Sequence, residues 1–252
     1  MIRSVRLLLA LVERSIKGRY RRTYIGIFWG VLQPLFYMVI FTSIRKILNI
    51  SSGDMPYVIF SFSALVPWTF FSNALTQAST SISTNSMIIK KVSVQREIFP
   101  LSGVLVSFVD FLAAFLILMI MVIWYRIPLT WNWLWLFGLV PLLLLLASGL
   151  GIAISAFVPY RGDVAMAIPI LMQVWMLACP ILYPISMVPD EWRFFYTLNP
   201  MVGIIEGFRN VIVLGVSPDF PMVGISLLVT VLVWAVGLPV FRYLSRFFAE
   251  VY

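Results

Sequence analysis

The sequence predicts an all-α integral membrane protein with six transmembrane helices, an N-terminal amphipathic interfacial helix, and re-entrant external helices between spans five and six. Three observations carry this. Of the 252 residues 62% are hydrophobic and 11% charged, against about 25% charged in soluble globular domains. Six apolar runs, near 27–47, 57–80, 101–124, 133–157, 164–184 and 221–243, each approach the roughly 20 residues that cross a hydrocarbon core. Lys and Arg are shared unevenly between alternate connections, which is the pattern that orients a membrane protein. No internal repeat of residue identity divides the chain, so 1–252 reads as one domain.

The first element, 1–22, carries seven Lys and Arg residues spread through its apolar positions. A cleaved signal peptide would keep its apolar core free of charge, so this segment is expected to be retained. On a helix, Val5, Leu8, Leu9, Val12 and Ile16 share one face, and Arg3, Arg6, Glu13, Arg14 and Lys17 lie opposite. That is the pattern of a helix lying in the membrane interface. Its basic run continues as Arg19, Arg21 and Arg22, interleaved with Tyr20 and Tyr24. Two readings stand: a topology anchor, or a site where guanidinium groups grip the phosphates of an anionic headgroup or pyrophosphate.

With an even number of spans, both ends share a side. That side holds 13 of the 18 Lys and Arg: the seven in 1–22, then Lys90, Lys91, Arg96, Arg161, Arg242 and Arg246. Arg45, Lys46, Arg126, Arg193 and Arg209 lie on the other. The excess places both termini in the cytoplasm. Trp124, Tyr125, Trp131, Trp133 and Trp135 around the third connection then form an outer aromatic belt. In a chain this apolar, the net charge of +8 reflects loops facing anionic lipid and not nucleic acid.

Within the spans, Gln33-Pro34, Pro67, and Pro169 with Pro180 are expected to kink helices or free backbone carbonyls. Asp110 falls midway along the third span, where an isolated carboxylate is costly. An inter-helix hydrogen bond is the preferred reading and a proton relay the alternative. The insert 85–102 between spans two and three is longer than a turn needs. Ile88 with Val92, and Ile98 with Phe99, give it an apolar side next to Lys90, Lys91, Arg96 and Glu97. It reads either as a solvated basic loop or as a short helix that docks in a partner's groove.

The segment 185–220 combines prolines and aromatics with a run, MVGIIEGFRNVIVLG, too short to span. It is expected to dip into the membrane and return. Glu206 and Arg209, at i and i+3, are spaced to pair on one helix face. The pair is structural, or it touches a passing substrate.

Some chemistry is excluded outright. The chain has no His and one Cys, Cys179, so His-based triads, His-ligated metals and thiolate clusters are ruled out. No G-x-x-x-x-G-K-[ST] motif occurs, so if transport is active its energy enters from elsewhere than a phosphate-cradling loop in this chain. The ten acids are scattered, which argues against a metal-dependent transferase. No catalytic or metal-binding residue is therefore assigned.

Four stretches together give a resemblance: IKGRYRRTYIGIFWGVLQPLF, LVPWTFFSNAL, NSMIIKKVSVQREIFPLSGVLVSFVDF and LNPMVGIIEGFRN. Over nearly its whole length the chain resembles the membrane subunit of type-2 ABC exporters of lipid-linked polysaccharide, namely O-antigen, capsule and teichoic acid. It differs in having Val94-Gln95 where members often carry an aromatic-Pro pair. The resemblance implies a homodimeric channel in the bacterial inner membrane, served by two ABC ATPase subunits that hold ATP and Mg, with no cofactor in this chain. It implies that 85–99 is the coupling helix, with Ile88, Lys90, Lys91, Val92, Arg96 and Glu97 facing the ATPase. Arg19, Tyr20, Arg21, Arg22 and Tyr24 would receive the pyrophosphate of a polyprenyl-linked glycan, O-antigen being the favoured cargo. Sugar C–H faces stack on aromatic rings, so Trp29, Phe36, Tyr37, Trp175 and Tyr183 are candidates to line the conduit. The alternatives are a type-2 permease for lipid or drug, and an ion-coupled carrier, for which Asp110 alone makes a poor set of coupling groups.

Overall fold

In the computed structural model, residues 2–20, 26–48, 56–91 and 94–248 are described. Among these every regular element is helical. The chain runs α1 (Ile2–Tyr20), α2 (Trp29–Leu48), α3 (Tyr57–Thr84), α4 (Ser86–Lys91), α5 (Ile98–Trp124), α6 (Leu136–Ser155), α7 (Asp163–Leu177), α8 (Asp190–Thr197), α9 (Pro200–Arg209) and α10 (Phe220–Ser245). By length and composition, α3, α5, α6 with the turn before it, and α10 can each cross a membrane. The helices α2 and α7 occupy the other two predicted spans; α2 has 20 residues and α7 only 15.

The bundle is built around α3, buried along nearly its whole length and packed on α2, α5, α6, α7 and α9. Small residues allow this. A Cβ on Gly103 of α5 would come within 2.9 Å of the Ala78 backbone, and one on Gly151 of α6 within 2.7 Å of the Ala78 methyl. Three helix backbones thus meet at one alanine, the close approach by which membrane helices gain packing energy without a hydrophobic drive. Buried hydroxyls of α3 turn back on their own helix, as where Ser63 donates to Phe60 O at 3.0 Å and Thr69 to Leu65 O at 2.8 Å. They add no unsatisfied group to the interior.

Three expectations are corrected. The fifth helix does not run to 184; it stops at Leu177, because Pro180 has no N–H to give and disfavours helical geometry before it. Among the described residues of the 85–99 insert the helix is Ser86–Lys91, and Arg96 and Glu97 form the turn into α5. In α1, the residue facing the bundle is Leu11, backed by Leu7 and Leu8. Val5 and Leu9, placed on the same apolar face by spacing, are exposed on its other side. The apolar surface of α1 is therefore divided between the bundle, chiefly α5, and the surroundings.

A second, smaller core lies where α1, α4 and the ends of α3, α5, α6 and α10 converge. It contains Leu11, Ile82, Ile89, Phe99, Ile152, Phe241 and Phe248. Because α5 rises about 1.5 Å per residue, its far end lies well away from this core. There α8 and α9 follow a 3-10 turn at Ile185–Met187.

Candidate functional site

Four places in the fold concentrate chemistry. The first joins α1 to α5. Arg19, in the last turn of α1, sets Nη1 2.8 Å from Asp110 Oδ2. Asp110 is buried, and the Arg19 side chain keeps about a third of its surface exposed. Gly30 of α2 closes the third side, since a Cβ there would come within 2.8 Å of Asp110 Cβ. The inter-helix bond expected of Asp110 is thus present, and its donor is a residue read as a phosphate ligand. Arg21, Arg22 and Tyr24 lie outside the described residues, as does the side chain of Tyr20. Earlier in α1, Lys17 bonds Glu13 at 2.5 Å, and this hydrogen bond and charge hold the Glu13 carboxyl below the usual carboxylate range.

The second place is the broken end of α7. Beyond Leu177 the backbone carbonyls have no helix to bond them, and side chains from three directions satisfy them. Ala178 O accepts from Asn199 Nδ2 at 3.0 Å, Pro180 O from Arg209 Nη2 at 2.6 Å, Leu182 O from the Tyr57 hydroxyl at 2.9 Å, and Leu177 O from the Tyr183 hydroxyl at 3.0 Å. Irregular backbone among membrane helices persists only when so satisfied. Asn199 is the hub. Its Oδ1 caps α9 by accepting from Met201 N at 3.1 Å and also accepts from Trp175 Nε1 at 3.1 Å. Pro200 at the first helical position completes a standard helix start.

Glu206 and Arg209 meet as their spacing predicted, at 2.5 Å, and both are buried. Arg209 also lies over the Phe60 ring, 3.7 Å from its centroid, and Arg45 over Tyr57 at 4.9 Å. Through Arg209 one buried guanidinium ties α9 to α3 and to the frayed end of α7. On α8, burial and the hydrogen bond to the Tyr183 hydroxyl push the Tyr196 phenol up.

The third place is a polar seam between α2, α3 and α7. Asn73 Nδ2 donates to Gln33 Oε1 at 3.0 Å, and Gln33, Thr69, Ser72 and Gln173 share a small cleft with Tyr37 and Trp68. The five aromatics predicted for the conduit separate here. Trp29 and Phe36 are exposed on α2. Tyr37 stacks on Phe41 at 5.9 Å, Trp175 packs edge-on to Phe71 at 5.3 Å, and Tyr183 is bonded to Leu177 O. Trp175 thus joins α7 to α3, whereas the contacts of Tyr37 and Tyr183 are within α2 and within the end of α7.

The fourth is α4. Met87 is 79% exposed and Lys90 is exposed beside it, whereas Ile89 is buried and Ile88 packs on the second core. Arg96 lies over the Phe248 ring at 5.7 Å, and Glu97 accepts from Arg242 Nε at 2.9 Å. Of the residues predicted for docking, Lys90 is exposed, while Glu97 bonds Arg242 of α10 and Arg96 lies over Phe248 just past it. The side chain of Lys91, and Val92 altogether, lie outside the described residues. Sequence reasoning missed Met87, Asn199 and the Gln33–Asn73 bond. The Asn-Pro start at 199–200, before an apolar run, was a readable cap signal; Met87 carried none. No group of three metal-ligating side chains occurs among the described residues.

A family model described as ABC-2 type transporter matches residues 6–213. An O-antigen export system permease protein RfbA of Myxococcus xanthus is 28% identical over 99% of this chain and 99% of its own. One of the same name from Klebsiella pneumoniae is 26% identical, covering 97% of this chain and 94% of that protein. The polysialic acid transport protein KpsM of Escherichia coli is 22% identical over 92% of this chain and 91% of its own.

Proposed function

Because the chain belongs to the ABC-2 type transporter family, we propose that it is the permease subunit of an ATP-driven exporter of polyprenyl-pyrophosphate-linked polysaccharide. O-antigen is the favoured cargo, from the names of relatives similar along their whole length. The observation that carries the mechanism is the place of α4. It sits between the end of α3 and the start of α5, buries Ile89 in the second core, and turns Met87 and Lys90 outward.

A push on that exposed face acts directly on the two helices that pack most extensively in the bundle. We assign the push to a pair of separate ATPase subunits, which hold ATP and Mg, one against each copy of a homodimer. Six spans cross the bacterial inner membrane with both termini in the cytoplasm, following the charge asymmetry of the connections. The glycan's pyrophosphate meets Arg19 at the cytoplasmic side of α1, with Arg21, Arg22 and Tyr24 beyond it. The sugar chain passes between the two copies along the α2 face that carries Trp29 and Phe36.

An ion-coupled carrier is disfavoured by the pairing of Asp110, the one acid midway along a predicted span, with Arg19. Gentle extraction from the native membrane, followed by intact-complex mass spectrometry with an ATPase assay, tests the proposal. Two copies of this chain with two ATP-hydrolysing subunits are expected. A chain or dimer stable alone in several mild detergents would sink the exporter reading in favour of a carrier. A four-subunit complex that moves a lipid or drug and no glycan would overturn only the cargo.

A further inference from the structure

The central helix α3 reaches the surface of the bundle through one kind of side chain. From Phe71 to Thr84 every apolar residue of α3 is buried, and each residue left wholly or partly uncovered is Ser, Thr, Asn or Gln. Ser72, Thr76, Thr80 and Thr84 recur every fourth residue with Asn73 and Gln77 beside them, a stripe about 18 Å long. Polar groups so placed in a membrane bundle face water or a polar ligand and not lipid. At the Ser72 end the stripe enters the small cleft that holds Gln33, Gln173, Tyr37 and Trp68.

The hydroxyl hydrogens of the stripe are engaged within the helix. Thr76 donates to Ser72 O at 2.9 Å, Thr80 to Thr76 O at 3.3 Å and Thr84 to Thr80 O at 3.0 Å. Asn73 Nδ2 and Gln77 Nε2 donate to Gln33 Oε1 at 3.0 Å and to Ser107 Oγ at 2.6 Å. A threonine oxygen whose hydrogen is so used presents acceptor lone pairs, and the side-chain carbonyls of Asn73 and Gln77 are acceptors too. The matching ligand therefore brings many O–H donors. A carboxylate brings acceptors alone, and it would give up water to face oxygen atoms, at a cost in free energy.

Building on the export function proposed above, we propose that the α3 stripe accepts hydrogen bonds from sugar hydroxyls, and that the permease thereby selects an uncharged glycan over an acidic one. Gln33 lies between Trp29 and Phe36 on one face of α2, at i, i+4 and i+7. Its bond to Asn73 joins that face to the stripe. The exposed rings of α2 take the C–H faces of a sugar, and the stripe takes its hydroxyls. Arg19 meets the pyrophosphate at one end of the polymer, whereas no residue of the stripe supplies a cation for charge repeated along it.

The test uses inverted membrane vesicles carrying the full chain with its co-expressed ATPase. Two probes of equal length on polyprenyl pyrophosphate are placed in the outward, cytoplasmic leaflet: a mannose oligomer and a mannuronic acid oligomer. They differ only at C6, which is a hydroxymethyl group in one and a carboxylate in the other. ATP-dependent transfer of the mannose probe into the lumen should exceed that of the mannuronate probe about tenfold, the change expected for one hydrogen bond. Thr76→Val with Thr80→Val keeps the branched shape and removes both oxygens, so it should bring the ratio towards one by slowing mannose transfer. Thr80→Lys puts a cation in the stripe and should raise mannuronate transfer relative to mannose, which a mere loss of packing would not do. The wild-type ratio decides even where a variant fails to assemble. Equal transfer of the two probes, or faster transfer of mannuronate, would make the stripe a solvated face and overturn the proposal while leaving the export function standing. So would a wild-type ratio in both variants. No ATP-dependent transfer of either probe would sink the export function and this proposal with it.

Discussion

Arg19 Nη1 stands 2.8 Å from Asp110 Oδ2, so the last turn of the interfacial helix is pinned by charge to a buried carboxylate in a membrane helix. Asp110 is the sole acid in α5, so no neighbouring carboxylate on that helix can take its place. Removing Arg19 leaves the buried Asp110 carboxylate uncompensated, whereas removing Asp110 leaves Arg19 with access to water. Asp110→Ala and Arg19→Ala should each reduce export and loosen α1, seen as faster proteolysis within 1–22. In a double-mutant cycle the pair should cost less than the sum by about 1–3 kcal/mol. Gly30→Ala should mimic Asp110→Ala, because its methyl displaces the carboxylate stem. Strict additivity of the two alanine variants would show that the contact contributes nothing.

Spacing alone exposed much of this architecture. Long apolar runs fixed α3, α5, α6 and α10 to within a few residues, since a membrane helix has one solution for its backbone groups. The Glu206–Arg209 pair was legible too, because i and i+3 on a helix must meet. What escaped was long-range. Asp110 and Arg19 are 91 residues apart, and no local pattern names the partner of a buried acid. Arg96 and Glu97 were read as docking charges, and no local pattern showed that Arg242 of α10 and Phe248 just past it return to them. Met87 was invisible for the converse reason: an exposed apolar residue on a six-residue helix has no periodicity to betray it.

The buried guanidinium of Arg209 satisfies Pro180 O while pairing with Glu206. Arg209→Ala removes a charge partner and a carbonyl's donor together, so it should destabilise the solubilised chain by about 3–5 kcal/mol. Arg209→Lys retains the charge but not the fork that reaches both acceptors, and should recover only part of this. Thermal unfolding in detergent measures both. A wild-type Tm for Arg209→Ala would remove α9 from the structural role given to it.

Docking should depend on the outward face of α4. Met87→Ser with Lys90→Glu should lower the amount of co-purifying ATPase about tenfold, the effect of losing one well-placed contact of about 1–2 kcal/mol. Glu97→Ala with Arg242→Ala should leave association intact and lower the Tm, since that pair lies within the chain. The reverse pattern, with Glu97 and Arg242 controlling association, would move the docking surface from α4 to the end of α10.

The aromatic side chains divide by what they touch, and the division predicts opposite phenotypes. Trp29 and Phe36 are exposed on α2, so replacing both with Ala removes stacking surface and leaves the bundle packing intact. Sugar stacking on a ring resembles other aromatic contacts, at roughly 0.5–1.5 kcal/mol each, and the double variant should slow export several-fold at unchanged Tm. Trp175 instead packs on Phe71 and donates to Asn199 Oδ1, the cap of α9. Trp175→Ala should therefore lower the Tm by the cost of a large core truncation, about 3–5 kcal/mol, and lose export only as the fold weakens. Trp175→Phe, which keeps the ring and removes the N–H, separates the two contributions. If Trp29→Ala with Phe36→Ala exported normally, the exposed face of α2 would be a lipid-facing surface, and the conduit would have to be sought along the Gln33–Asn73 seam.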